Sequence, residues 1–104
     1  MISGNQDKNG NLVIKIEGSL SAYNAGDIKD RLLTGFTNHQ GVILDINGVT
    51  ECDTLGIQLL LSARKTAEML NKTFNVTGDS PSVQDMLTGL GLEAEDFPCV
   101  LKED

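Results

Sequence analysis

A chain of 104 residues has room for one hydrophobic core, and residues 1–104 read as a single domain. Apolar residues at 39% and charged residues at 22% fit an ordinary globule rather than a disordered or fibrous chain, and no apolar run nears the roughly 20 residues that cross a bilayer. Fifteen acids against eight bases leave a net charge of −7, the wrong sign for binding a nucleic-acid backbone or an anionic membrane surface.

The acidic excess is C-terminal: residues 79–104 carry seven acids and one lysine, and they read as a solvated surface. The start, Met1-Ile2-Ser3-Gly4-Asn5, has neither the basic nor the apolar stretch of a secretion signal, so a cytoplasmic protein is expected. In that compartment Cys52 and Cys99, which lack CxxC spacing, stay reduced. With His39 the single histidine, neither a zinc site nor a His-based triad is expected, and the sequence calls for no metal and no cofactor.

Residues 12–17 are rich in β-branched side chains and follow the Lys8-Asn9-Gly10-Asn11 turn signal, which predicts a strand with a hairpin partner near Ile2–Gln6. Across residues 24–36, Ala25, Ile28, Leu32 and Phe36 recur at helical spacing, with Asp27 and Asp30 near the positive end of the helix dipole. The apolar run 41–46, bounded by Asn47-Gly48, suits a central strand. From Thr54 to Leu70 a long helix is predicted, with Gly56, Leu59, Leu60, Ala63, Ala67 and Leu70 on its core face and Gln58, Ser62, Lys65 and Met69 opposite. Ile57 and Leu61 project away from that stripe, flanked by Arg64 and Glu68, and together form a candidate partner footprint unless a neighbouring element covers them. Thr73–Thr77 alternates as a short strand. Gly78-Asp79-Ser80-Pro81 then starts a helix carrying Val83, Met86, Leu87 and Leu90, and residues 97–101 offer a last edge strand. Alternating strands and helices predict an α/β fold with a mixed sheet.

The stretch Leu44-Asp45-Ile46-Asn47-Gly48-Val49-Thr50-Glu51-Cys52-Asp53-Thr54-Leu55-Gly56-Ile57 is the most informative. Asp53 falls where an N-cap accepts a backbone N–H, which makes Thr54 the first helical residue with its hydroxyl near the exposed helix end. By spacing alone this is an ordinary way to begin a helix. Gly48 and Gly56 have no lysine between them, so they serve a turn and close helix packing rather than a phosphate-binding loop. Asp45 lacks the acidic pair on the first strand that would hold magnesium beside a phosphoacceptor aspartate, and Cys52 reads as a small buried filler.

The ordered set of Gly18-Ser19-Leu20-Ser21-Ala22-Tyr23-Asn24-Ala25, then the strand and Asp53-Thr54-Leu55-Gly56-Ile57 before a leucine-rich helix, then Gly78-Asp79-Ser80-Pro81-Ser82-Val83 with Leu90-Gly91-Leu92, resembles the STAS domain, the fold of anti-sigma factor antagonists. The resemblance spans nearly the whole chain. It implies a mixed sheet of four to five strands with helices mainly on one face, and a non-enzymatic partner switch. The residue matching the family's phosphoacceptor is Thr54, with Ser21, Asp53, Leu55 and Gly56 as its neighbours. The unmodified form would bind an anti-sigma factor of the Ser/Thr kinase type and be released on phosphorylation, with a phosphatase to reverse the step. Ser21 stands where many antagonists have Asp, and Leu55 where Ser or Ala is common, changes that bear on partner choice. The Asp53–Leu61 run resembles a subgroup tied to chemotaxis-type signalling and the accessory STAS subunit of a lipid-transport ABC system.

Overall fold

In the computed structural model, which describes residues 2–91, strands β1 (Ile2–Gln6) and β2 (Asn11–Leu20) form the expected antiparallel hairpin. Its turn closes because the Asp7 carboxylate accepts the Asn9 and Asn11 N–H groups at 2.9 Å, while Gly10 takes the positive φ of 87° that a side chain would resist. The chain continues through α1 (Ala25–Asn38), β3 (Gly41–Cys52), α2 (Thr54–Leu70), β4 (Thr73–Thr77) and α3 (Pro81–Gly89). The sheet order is β1-β2-β3-β4, with β2, β3 and β4 parallel, so each parallel step is bridged by a helix.

Strand alternation decides where the core sits. Ile14, Leu44 and Val76 lie in register across three strands and are all buried, whereas their neighbours Lys15, Asp45 and Thr77 form the next row on the opposite face. The helices supply Ile28, Leu32, Phe36, Ile57, Leu60, Val83 and Leu87 to the buried side, and Phe36 meets Phe74 edge-to-face with ring centroids 6.0 Å apart. The described residues form a mixed four-stranded α/β sheet with three helices.

Two expectations about length and facing require correction. Asn47-Gly48 does not end the central strand: β3 runs on to Cys52, with Gly48 paired to Glu17. A Cβ at Gly48 would come within 2.8 Å of Glu17 Cγ and 3.1 Å of the Ile16 carbonyl oxygen, so this glycine serves a close strand approach rather than a turn. Register shifts on either side, between Lys15 and Glu17 and between Gly18 and Ser19, absorb the extra residues of β3 as bulges. On α2 the buried residues are Gly56, Ile57, Leu60, Ala63 and Ala67, whereas Leu70, expected in the core, is 47% exposed and Leu59 is only partly buried. The buried face is rotated toward Ile57, in a helix packed on by α1, β3, β4 and α3. The last edge strand expected at 97–101 lies outside the described residues.

Candidate functional site

The parallel strands β2, β3 and β4 all end on one side of the sheet, where the segments leading into α1, α2 and α3 gather. That end of an open α/β sheet is where such folds carry their sites. β3 exits directly into Asp53, whose extended backbone (φ −117°, ψ −179°) breaks from the strand and caps α2 as expected. Asp53 Oδ1 accepts the Gly56 N–H at 2.9 Å, and Oδ2 accepts the Ala22 N–H at 3.1 Å from the loop before α1. These donors, Gly56 first and Ala22 next, hold the carboxyl below the usual carboxylate range.

Thr54, the first residue of α2, is exposed, and Leu55 beside it is 48% exposed. Gly56 is buried because α2 starts against the end of β2: a Cβ there would lie 2.2 Å from the Leu20 carbonyl oxygen. This approach also brings the Asp53 carboxylate within reach of Ala22. Cys52 is half-buried, and its thiol is pushed up to about 11, by burial first and by the Asp53 charge second, which disfavours the nucleophilic thiolate.

The loop 21–24 has its own set of bonds. Ser21 Oγ lies 2.5 Å from Ser19 Oγ and accepts the Tyr23 N–H at 3.3 Å, the Ser21 N–H is donated to Asn24 Oδ1 at 3.1 Å, and the Asn24 side-chain amide donates to the Ser19 carbonyl. Ser21 thus stands close in the chain to the Asp53 contact, with its hydroxyl turned to its own loop. Tyr23, which the sequence did not single out for a site, is 93% exposed on this loop. Between α1 and α2 a shallow groove of about 320 Å³ begins here, lined by Ala22, Ala25, Gly26, Lys29, Leu55 and Gln58 among others.

The structure therefore brings Asp53, Thr54, Leu55, Gly56 and the Ser21 loop together, and it separates Ile57 from them. Ile57 is fully buried, which corrects its placement in an exposed footprint; Leu61 is partly buried against the core, and Arg64 pairs with Glu68 at 3.5 Å along the same helix. Nothing in the local pattern could have linked Ala22 to Asp53, since the two are 31 residues apart.

A family model described as "Mlab, STAS domain" matches residues 4–102. The chain belongs to the STAS domain family. Among solved structures, this STAS domain superposes on a serine-to-glutamate variant of RsbS from Moorella thermoacetica with a TM-score of 0.75 and 25% identity, covering 96% of this chain and 86% of that one. An anti-sigma factor antagonist from Mycobacterium paratuberculosis gives a TM-score of 0.76 at 17% identity, over 95% and 85% of the two chains. The Bacillus cell fate determinant SpoIIAA in its phosphorylated form gives 0.74 at 15% identity, over 100% and 92%. At 17% and 15% identity, the latter two speak to the fold alone. Among the described residues of this STAS domain, no helix is long and apolar enough to cross a membrane, and no group of three or more His, Cys, Asp or Glu could hold a metal ion.

Proposed function

We propose that this STAS domain is a non-enzymatic regulatory module that docks a partner protein through the start of α2 and the 21–24 loop, and that phosphorylation of Thr54 ends the contact. The observation that carries this reading is an exposed threonine, Thr54, at the first position of α2, beside a carboxylate already engaged in capping. An unmodified threonine beside half-exposed Leu55 can be covered by a partner at small cost. A phosphoryl group adds roughly −1.5 to −2 charge next to Asp53, and a partner surface would have to desolvate or pair it. Within its own chain the same group is tolerated, because a helix N-terminus favours anions, so the fold survives modification. The partner that fits is an anti-sigma factor of the Ser/Thr kinase type, with a phosphatase restoring the binding form. Arg64 and the open edge of Leu61, further along α2, extend the docking face.

Phosphopeptide mapping of the protein from its native cells should find phosphothreonine at position 54. Titration calorimetry with the captured kinase-like partner should then find tighter binding of the unmodified form. Equal affinity of the two forms would remove the switch, and tighter binding of the phosphoprotein would reverse it.

The resemblance of the Asp53–Leu61 run supports a second reading: an accessory STAS subunit of a lipid-transport ABC system that acts without phosphorylation. Stoichiometric co-purification of an ATPase, with no phosphate on Thr54, would select it over the first.

A further inference from the structure

One carboxylate joins two segments of the STAS domain that lie 31 residues apart. Capping α2 needs only one oxygen, and Asp53 Oδ1 supplies it to Gly56; the bond from the Ala22 N–H to Oδ2 is additional. The loop's own side-chain bonds, among Ser19, Ser21, Tyr23 and Asn24, stay within the loop and the end of β2. The bond to Asp53 instead ties the loop to α2, and it involves the residue next to exposed Tyr23.

We infer that Asp53 is a positioning residue that latches the 21–24 loop to the start of α2, so that Tyr23 and Leu55 are presented as one surface, and that a phosphoryl group on Thr54 loosens this latch. The group would be attached one residue from the carboxylate. It would repel that carboxylate and compete for the N–H donors of the first helical turn, which favour whichever anion carries more charge. The loosening rests on the phosphorylation reading above; the latch does not.

Asp53→Asn in the full chain is the sharp test. Asparagine keeps the shape and one carbonyl oxygen, and is among the best N-caps, but its NH2 would face the Ala22 N–H, donor against donor. Amide exchange at Ala22 is read by NMR in the wild type, in Asp53→Asn, and in a chain carrying phosphothreonine at position 54, assembled by ligation at Cys52. Because a bond to a charged acceptor is lost, exchange at Ala22 should be roughly tenfold faster or more in the second and third forms, with the α2 amides of Leu60 and Ala63 unchanged. Unchanged exchange in Asp53→Asn would refute the latch. Acceleration in Asp53→Asn but not in the phosphoprotein would refute the loosening alone. Absence of phosphate on the native protein would instead count against the phosphorylation reading, without touching the Asp53→Asn result. Should Asp53→Asn fail to fold, Asp53→Ser takes its place, since a single hydroxyl caps the helix and cannot span both N–H groups.

Discussion

Replacing glycine by alanine should have opposite effects at two helical positions of this STAS domain, and the difference is set by what a methyl group would meet. At Gly56 a Cβ would stand 2.2 Å from the Leu20 carbonyl oxygen, 2.9 Å from its carbonyl carbon and 3.0 Å from Leu20 Cγ. The obstacle is backbone at the end of a paired strand, so relief requires α2 to retreat by more than an ångström to reach ordinary contact. Overpacking of this kind costs about 1–3 kcal/mol and sometimes more, against roughly 1 kcal/mol that alanine gains over glycine within a helix. Because position 56 is in the first turn, where that gain is smallest, the clash wins and Gly56→Ala should lose about 2 kcal/mol. Retreat of α2 would also lengthen the bond from Ala22 to Asp53. At Gly26, in the first turn of α1, nothing lies within 4 Å of the added carbon and the backbone φ is not positive. Gly26→Ala, also in a first turn, should therefore gain about 0.4 kcal/mol, the low end of what restricting the unfolded chain supplies. Urea unfolding followed by circular dichroism reads both, each as a midpoint shift at constant slope. A Gly56→Ala protein as stable as the wild type would refute the close-approach argument.

Acid should act partly through Asp53. Its carboxyl is held below the usual range by the N–H groups of Gly56 and then Ala22, so its contribution is present above the unfolded value of about 4 and is lost as pH falls through the lower folded one. The stability gap between wild type and Asp53→Asn should close as pH drops below about 4, and a gap that widened there would contradict the assignment. Ile57→Ala should cost about 2–5 kcal/mol by opening a cavity in the core, and Leu61→Ala, at a partly buried site, should cost less; a loss within measurement error for Ile57 would return it to the surface. Thr54→Ala should change the unfolding free energy by no more than about ±0.5 kcal/mol, as for an ordinary surface residue, and a larger loss would make the threonine structural. With its thiol raised to about 11, Cys52 should alkylate far more slowly at pH 8 in the folded protein than in urea, as followed by peptide mass mapping, and equal rates would refute its shielding.

What the sequence determined by itself is the local grammar. The hairpin, the start of α2 at Thr54 under an Asp53 cap and the start of α3 at Pro81 under Ser80 follow from side chains acting on backbone groups a few residues away. Such interactions are written into adjacent positions, and the motif around Asp53 could be read as a STAS signature for the same reason. Tertiary structure alone decided the rest. Asn47-Gly48 carries a turn signal that β2 overrides by continuing alongside it, and the bulges exist only because of that pairing. Apolar spacing left the facing of Ile57 open, since a helix shows its periodicity but not which neighbours will close its flanks; the packing of α2 among α1, the sheet and α3 buried this one. The bond from Ala22 to Asp53 depends on Gly56 letting α2 begin against the end of β2, and a contact across 31 residues leaves no mark in either local pattern.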